Sequence, residues 1–361
     1  MFKKKQFDDI LIVGSGHLAQ CIIYSLSKMN GTGKVTVLSR NQAQCDSIVT
    51  TANVVAHSNG AGYVFSWEQL SDNYDNLEEL IIRSQPKILL NCLSLQSPWR
   101  LGLDSKWGQL VANYGFGSTI VFQLPIALRI SNIIEKYKLS SFYINACYPD
   151  VANPILKQLG LPINSGIGNV AIIDELIRNV LKLSSDTNLQ IIGHHYHVNQ
   201  IIKPPEQRSE FPRVWIDDKE LYDVPDIIKN VQLPSSSFIN QITGNNTAKF
   251  INNLIIFRKL TLNLPGINGF SGGMPVEITD FYCKLVLPES VQLSAVNQIN
   301  QDLERREGIV ERNEYLILSE SVHRYLGQID QLLSKPIRLD NLSDYLLDKK
   351  NISKLINHNH Q

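Results

Sequence analysis

A glycine-rich turn near the start of the chain restricts the fold more than any other segment. The apolar residues 10–13 predict a buried strand, and the turn Gly14-Ser-Gly16-His-Leu-Ala19 follows directly, before a stretch whose periodicity predicts a helix over 18–29. The glycines permit a tight turn that a diphosphate can approach, and Ala19 lets the helix pack closely on the strand. The free N–H groups at the start of such a helix attract phosphate. We therefore predict a dinucleotide-binding site here.

The alternation of apolar runs with amphipathic stretches continues through the first half of the chain. Further strands are predicted at 35–38, 87–91, 119–122 and 142–145, with helices from 41 and at 103–114, 125–137 and 151–159. Continuous apolar strands separated by helices are typical of a parallel sheet covered on both faces. We predict an α/β fold whose residues 1–150 form a Rossmann domain, a doubly wound parallel sheet.

The pattern changes after about residue 165. Helices are predicted at 171–183 and 246–260 and from about 290 and 319, with a strand at 189–193, a Pro-rich stretch at 203–234 and a glycine-dense segment at 265–273. We predict a C-terminal mixed α+β domain over 151–347 for substrate binding and oligomerisation, followed by a polar tail at 348–361.

Composition limits the cellular setting and the partners. The 34 Lys and Arg residues balance 34 Asp and Glu residues, so no overall field attracts nucleic acid or an anionic membrane. The five cysteines are widely spaced and never form a CxxC pair, which favours free thiols in a reducing compartment. The N-terminus lacks the features of a signal peptide, and no stretch approaches the roughly 20 apolar residues of a membrane span. We expect a cytoplasmic protein with neither a nucleic-acid nor a membrane partner.

The ends of the predicted strands should hold the cofactor, because ligands of doubly wound sheets bind outside the carboxyl ends of the strands. NAD enzymes usually place a carboxylate after the second strand, whereas this chain has Ser39-Arg-Asn41. The fork of Arg40 suits a 2′-phosphate, so NADP is the preferred cofactor and NAD the alternative, unless Arg40 is merely solvated. Asn91 and Asn145 equally suit capping and turns. The expected cofactor-binding residues are Gly14, Ser15, Gly16, His17, Leu18, Ser39, Arg40, Asn41, Asn91, Cys92, Leu93, Gln123 and Asn145.

The segment His-His-Tyr-His at 194–197, here called the histidine cluster, is the densest group of titratable side chains. On a strand, His195 and His197 would share one face. An imidazole suits acid–base work beside a hydride transfer; structural histidines are the main alternative, and a metal site lacks the spacing of a ligand set. The catalytic candidates are His195, His197, Arg100, Asp150 and Tyr148. Cations that suit a substrate carboxylate are Arg100, Lys203, Arg208 and Arg213.

Over roughly residues 8–330 the chain resembles the lactate/malate dehydrogenase family. The opening strand, glycine turn and helix match, and Asn-Pro at 153–154, Gly-Leu-Pro at 160–162, Gly-Ile-Gly at 166–168 and Gly-His-His at 193–195 recur in the family's order. The resemblance implies that His195 is the proton donor and acceptor and that Arg100 lies in a mobile segment. The family carries an Asp and an Arg on the helix after this second glycine turn. When the chain is aligned with the family without a gap, these two residues correspond to Ile172 and Glu175. Asp174 and Arg178 are nearby but displaced from those places.

The first 150 residues are also similar to saccharopine-dehydrogenase-like NADP-binding proteins, through residues 37–41 and the cysteine after residue 91. That similarity implies chemistry at a C–N bond. We predict an NAD(P)-dependent dehydrogenase or reductase that acts on a small carbonyl, carbinol or imine carbon, with a homodimer expected by analogy. Two alternatives stay open: an imine reductase or opine-type dehydrogenase acting on an amino-acid conjugate, and a non-catalytic partner with a degenerate Rossmann fold.

Overall fold

A computed structural model describes residues 9–97, 105–234, 237–257 and 259–342. The first half contains a parallel sheet whose strands are β1 (Asp9–Val13), β2 (Thr32–Ser39), β3 (Gly62–Gln69), β4 (Ile88–Asn91), β5 (Phe142–Asn145) and β6 (Ser165–Gly166). Their spatial order is β3-β2-β1-β4-β5-β6, with every neighbouring pair parallel. The predicted doubly wound Rossmann sheet is confirmed. β6 lies after residue 150 in the chain but belongs to the same sheet. The domain boundary at 150 stays a prediction.

Helices cover both faces of this sheet. They are α1 (His17–Leu26), α2 (Gln42–Ser58), α3 (Leu77–Ser84), α4 (Lys106–Tyr114), α5 (Ile120–Tyr137) and α6 (Pro149–Gln158). Successive side chains of β1 point to opposite faces, so Ile10 and Ile12 belong to one buried cluster and Leu11 and Val13 to the other. The apolar run of β1 is continuous because both of its faces are buried.

The strand predicted at 119–122 is wrong, because these residues are helical. A 3₁₀ turn at Phe116–Thr119 runs directly into α5. Since α5 is buried nearly all round, it lacks the amphipathic period of a surface helix, and its first turns resemble a buried strand in sequence. The combined helix, Phe116–Tyr137, is long and apolar enough to cross a membrane, contrary to the sequence-based expectation, but 89% of its apolar window is buried inside the protein.

The sequence patterns did not predict β3 or α3. β3 pairs with β2 in continuous register from Thr32–Gly62 to Ser39–Gln69 and forms an edge of the sheet. An edge strand is only half covered, so its apolar residues alternate with polar ones and do not form the continuous run used to find the other strands.

The second half of the chain adds short antiparallel sheets and helices to this frame. Its elements are α7 (Val170–Leu181), β7 (Leu189–Ile192), α8 (His195–Ile202), β8 (Arg213–Ile216), β9 (Lys219–Leu221), α9 (Val224–Ile228), α10 (Ile239–Ile256), β10 (Lys259–Pro265), β11 (Gly273–Thr279), β12 (Tyr282–Leu285), α11 (Leu293–Arg306), β13 (Ile309–Arg312), β14 (Tyr315–Leu318), α12 (Glu320–Gly327) and β15 (Ile337–Arg338). Three antiparallel sheets result: β7-β8-β9, β10-β11-β12 and β13-β14-β15. This mixed α+β architecture was predicted.

One contact joins the second half to a helix of the Rossmann sheet, and another joins two parts of the second half next to the start of α8. α10 packs along α1, where a side chain at Gly244 would collide with Cys21. Gly193, after β7, pairs with Gly273 at the start of β11, so the glycine-dense segment meets the beginning of α8. The predicted tail at 348–361 lies outside the described residues.

Candidate active site

A cleft of about 620 Å³ runs across the carboxyl ends of β2, β1, β4 and β5. This is where a doubly wound sheet binds its ligands. Most of the sequence-predicted cofactor residues lie in its wall: Gly14, Ser15, Gly16, His17, Leu18, Ser39, Arg40, Asn41, Cys92, Leu93 and Gln123. Gln123 reaches the cleft from α5, not from the strand end where the sequence predicted it.

The two positions of the turn at 14 and 16 are glycine for different structural reasons. Gly14 has a φ of +109°, and a Cβ there would lie 3.1 Å from the backbone C and O of Cys92, so this position needs glycine for the fold. A Cβ on Gly16 would meet nothing within 4 Å. Gly16 is the N-cap of α1 and offers no side-chain acceptor to the first-turn N–H groups. The open space and the uncapped helix start together fit a phosphate group.

The end of the cleft at β2 is lined by hydroxyls and one cation. The Ser15 and Ser39 hydroxyls are 2.6 Å apart, and Ser39 Oγ accepts a hydrogen bond from the Asn41 N–H at 3.1 Å. Asn41 Oδ1 caps α2 by accepting from the Gln44 N–H. Arg40 is exposed, with its guanidinium 5.1 Å from the centre of the Tyr74 ring. Among the described lining residues, this end carries no carboxylate.

Asn91 and Asn145 lie beneath the cleft and outside its wall. Both are completely buried, and Asn91 Nδ2 donates to Asn145 Oδ1 at 3.1 Å. Their carbonyl oxygens accept from the backbone N–H groups of Leu93 and Cys147, two residues further on. These amides therefore shape the loops that follow β4 and β5, which is the turn-forming role that the sequence left open beside contact with a cofactor.

Two cysteines lie at the same strand ends, and both line the cleft. Burial raises the pKa of Cys92 well above its usual range and raises the pKa of Cys147 to about 12. Both thiols are therefore protonated at neutral pH, and neither has the low pKa of a nucleophilic cysteine.

The histidine cluster begins a helix, so the predicted strand geometry is wrong. His194 is the N-cap of α8: its Nδ1 accepts from the Tyr196 N–H at 3.2 Å, and its own N–H donates to His197 Nδ1 at 3.0 Å. This reciprocal cap starts the helix directly after β7, and histidine is not among the residues that usually signal a cap. Burial, reinforced by His194, lowers the pKa of His197 to about 3, so His197 is a neutral structural acceptor.

His195 is paired with a residue that the sequence did not suggest. Its Nδ1 lies 3.0 Å from Oε1 of Glu307, which directly follows α11. Asn199, one turn along α8, donates to the same Glu307 oxygen at 2.9 Å. Glu307 is 2% exposed. A separation of 112 residues between His195 and Glu307 leaves no local signal by which a sequence pattern would find this pair.

Tyr148 completes the surroundings of Glu307. The phenol donates a hydrogen bond to Glu307 Oε2 at 2.5 Å. Burial acts to raise the pKa of Glu307, but His195, His194 and Tyr148 outweigh it and hold the pKa below its usual range. Burial and the neighbouring Glu307 raise the pKa of Tyr148 well above its usual range. The group therefore consists of an ionised carboxylate, a neutral phenol and an imidazole.

Asp150 fixes the start of α8 from the other side. This carboxylate, in the first turn of α6, accepts from the His195 N–H at 3.1 Å and from the Asn169 side chain. Burial raises the pKa of Asp150, and His194 and His195 partly offset that effect. Asp150 contacts the backbone of His195 and not its ring, which is consistent with a positioning role.

Two aromatic rings connect the cleft with His195. Phe116 lies against the imidazole with ring centres 4.0 Å apart, and Tyr148 meets it edge-on at 5.4 Å. Both rings line the cleft, whereas His195 is 6% exposed. The cleft thus leads from the glycine turn to the rings that cover the acid–base group.

Two of the cations predicted from sequence are bound elsewhere in the protein. Arg208 donates to the carbonyl oxygens of residues 201, 203, 228 and 231, and Arg213 forms a two-pronged pair with Glu220 at 2.8 and 3.0 Å. Lys203 is exposed at the end of α8. Arg100 lies in residues 98–104, outside the described residues.

A second cavity of about 730 Å³ lies between α7, α10 and β10 and shares no lining residue with the cleft. Asp174 and Arg178 face it as an ion pair at 2.6 Å. Ile172 is buried in the core, and Glu175 pairs with Lys249. The partner of His195 is Glu307 and not one of these four residues of α7. Within the described ranges, no three His, Cys, Asp or Glu side chains form a group that would hold a metal.

The chain has the fold of the lactate and malate dehydrogenases. The lactate dehydrogenase of Cryptosporidium parvum, solved with lactic acid and nicotinamide adenine dinucleotide, is 15% identical, with a TM-score of 0.54 over 84% of this chain and 98% of that one. The malate dehydrogenase of the same organism is 16% identical, with a TM-score of 0.53 over 83% and 98%. That of Archaeoglobus fulgidus, solved with NADH, is 11% identical, with a TM-score of 0.51 over 83% and 99%.

At the level of sequence, no protein-family model matches the chain. No curated protein matches it either. The resemblance predicted from the motifs is therefore confirmed as a likeness of fold.

Proposed function

We propose that this protein is an oxidoreductase that uses a nicotinamide dinucleotide to interconvert a carbonyl and an alcohol, with His195 as the proton donor and acceptor. The observation that supports it most is the continuity of one cleft. This cleft begins at a glycine turn suited to a diphosphate and ends at the two rings that contact His195.

The residues of the cleft fit such a cofactor. The first-turn N–H groups of α1, beside the open space at Gly16, would hold the diphosphate. Ser39 and Arg40 would face the adenosine ribose, and the loops after β4 and β5 would flank the nicotinamide. When bound in its reduced form, the cofactor supplies a hydride to the carbonyl carbon.

His195 handles the proton that accompanies this transfer. As the carbonyl gains a hydride, its oxygen gains an electron pair and takes a proton from Nε2 of the imidazolium, which becomes neutral; in oxidation the alcohol returns that proton to the neutral imidazole. The hydrogen bond from Nδ1–H to Glu307 fixes the tautomer and leaves Nε2 for the substrate. The ionised Glu307 stabilises the imidazolium, as the buried carboxylate does in other histidine-centred sites.

For the cofactor we favour NAD, because two of the similar dehydrogenases were solved with NAD or NADH. The sequence-based preference for NADP depended on Arg40 and on the lack of a carboxylate after the second strand. Fluorescence titration with NADH and NADPH side by side decides between them. We expect NADH to bind at least as tightly as NADPH; Arg40→Ala should weaken NADPH binding and leave NADH binding unchanged. A tenfold preference for NADPH that Arg40→Ala abolishes would establish NADP instead.

The oxidoreductase activity itself is tested by following NADH oxidation at 340 nm with a panel of ketones, aldehydes and 2-oxo acids. We expect a saturable rate with at least one compound, which His195→Asn lowers by about 1000-fold without weakening NADH binding. The proposal fails if the protein does not bind either dinucleotide.

A further inference from the structure

Residues 146–150, here called the β5–α6 connection, hold His195 from two sides. Tyr148 donates its phenol hydrogen to Glu307 Oε2 at 2.5 Å, and Glu307 Oε1 lies 3.0 Å from His195 Nδ1. Further along the connection, Asp150 accepts a hydrogen bond from the His195 backbone N–H at 3.1 Å. The phenol and the imidazole therefore bind different oxygens of one buried carboxylate.

The position of the Tyr148 ring is set by contacts other than its hydroxyl. The backbone of Tyr148 is left-handed, with a φ of 46°, which a bulky residue adopts where the surrounding structure holds it. The glycine-dense segment at 265–273 provides this support, because a Cβ on Gly266 would lie 2.6 Å from the Pro149 carbonyl oxygen. The ring itself packs edge-on against Phe116, with ring centres 4.9 Å apart. Removing the hydroxyl should therefore leave the ring in place.

Sharing the carboxylate changes how strongly Glu307 attracts the imidazolium. A hydrogen bond to an ionised carboxylate stabilises its charge, so the carboxylate gains less from a second, positively charged partner. With the phenol bound to Glu307, the imidazolium of His195 is therefore less stabilised than it would be beside Glu307 alone. A less stabilised imidazolium releases its proton more readily, which favours transfer to a carbonyl oxygen.

The other titratable and charged groups around His195 act differently. They include Asp150, the cap residues His194 and His197, and two ion pairs that involve α11, Glu304–Arg312 and Arg306–Glu210. Asp150 contacts the backbone of His195 and not its ring. His194 Nδ1, 3.8 Å from Glu307, already accepts the backbone hydrogen bond that starts α8. Burial and the neighbouring Glu307 raise the pKa of Tyr148 well above its usual range, so removing its hydroxyl changes the hydrogen bonds of Glu307 without changing a charge.

We propose that Tyr148 is a positioning residue that lowers the proton affinity of His195 by sharing the carboxylate of Glu307. The glycine-dense segment, by supporting the β5–α6 connection, holds Tyr148 in place for this role. The catalytic consequence rests on the proposed function, in which His195 gives its proton to the substrate. The effect on the proton affinity itself does not require a substrate, so it can be measured separately.

The proton affinity of His195 is measured by NMR titration of the full-length protein with isotope-labelled histidine rings, and His195→Asn identifies the signal. We expect Tyr148→Phe to raise this proton affinity by about three- to tenfold and Glu307→Gln to lower it by about tenfold or more. Tyr143→Phe is the matched control, because it removes another fully buried tyrosine hydroxyl, in β5, which donates to the Ala127 carbonyl. The control should leave the titration of His195 unchanged.

Three results overturn the inference. The first is a proton affinity of His195 that is unchanged or lowered in Tyr148→Phe. The second is a His195 ring whose charge does not change over the pH range in which the protein stays folded. The third is a shift in the same direction in Tyr148→Phe and Glu307→Gln, which would indicate a general loosening of the site.

The same change should appear in catalysis. Reduction needs the imidazolium, so kcat/KM for an accepted carbonyl compound falls as the pH rises through the titration of His195. In Tyr148→Phe this fall should occur at a higher pH, with the NADH affinity unchanged. Failure to bind NADH refutes the proposed function and leaves the NMR result intact, whereas normal NADH binding with an unchanged titration refutes only the inference about Tyr148.

Discussion

The glycine turn at 14–19 lines the cleft, and His195 of the histidine cluster lies behind the two rings that line it, but the turn and the cluster are held in place in different ways. The turn is positioned by its own neighbours in sequence: β1 leads into it and α1 follows it. His195 is positioned by Asn199 of its own helix and by two residues from distant parts of the chain, Asp150 and Glu307. A binding loop can thus be built locally, whereas the acid–base group depends on the packing of both halves of the protein.

The sharpest test of this comparison is to remove the imidazole. His195→Asn should lower kcat by about 1000-fold, the usual contribution of general acid–base catalysis, while the NADH dissociation constant stays within twofold of the wild type. Steady-state kinetics and fluorescence titration measure the two quantities. Tyr196→Phe, the adjacent residue in α8, is the matched control. Equal loss of activity in both variants would mean that the helix, and not the imidazole, matters.

Substitutions at the two glycines, 14 and 16, test whether the glycine turn binds the cofactor. Gly16→Val fills the open space beside the start of α1 and should weaken NADH binding by about 300-fold, because the diphosphate would lose its approach to the backbone. The melting temperature should change by only a few degrees. Gly14→Ala, in contrast, places a Cβ against Cys92 at a φ of +109° and should destabilise the protein. If Gly16→Val binds NADH normally, the cofactor does not lie where we propose.

The contrast between locally built and long-range parts of the site also explains how much of the fold and of the site could be predicted from the sequence. The glycine turn, its flanking strand and helix, and the parallel sheet were predictable, because each depends on residues a few positions apart. The strand at 119–122 was wrong because a helix buried all round has the same apolar run as a buried strand. The histidine cluster was placed on a strand because the cap that starts α8 is made by His194 and His197, which are unusual in that role.

Glu307 was missed for a more basic reason. It follows the charged last turn of α11, in the sequence Glu-Arg-Arg-Glu at 304–307, where a carboxylate normally indicates a solvated surface. Only the fold brings it next to Tyr148 and His195 and buries it there. The resemblance to dehydrogenases placed the family's Asp and Arg on the segment that forms α7, and α7 faces a different cavity.

The third prediction tests this long-range partner. Glu307→Gln keeps the shape and the acceptor for Tyr148 but removes the charge that stabilises the imidazolium, so kcat should fall by about 100-fold with little change in NADH affinity. The pKa of Glu307 is below its usual range, so its contribution to stability is complete above pH 4.5 and is lost as the pH falls through the lower, folded-state pKa. Urea unfolding between pH 7 and 3 should therefore show a weaker acid dependence in Glu307→Gln. Unchanged kcat would remove Glu307 from the site.

The smallest effect concerns the other function of the histidine cluster, which is to start a helix. His197 has a pKa of about 3 when folded, against an ordinary value of 6.5, so below pH 6.5 the unfolded chain takes up a proton that the folded protein cannot. The resulting loss of stability grows as the pH falls and reaches about 2 kcal/mol at pH 5. His197→Asn keeps an acceptor for the His194 N–H but does not titrate. Urea unfolding at pH 7 and pH 5 should therefore show that this variant loses about 2 kcal/mol less than the wild type. If both proteins lose the same amount, His197 is solvated, and the division of the cluster into a catalytic and a structural histidine is wrong.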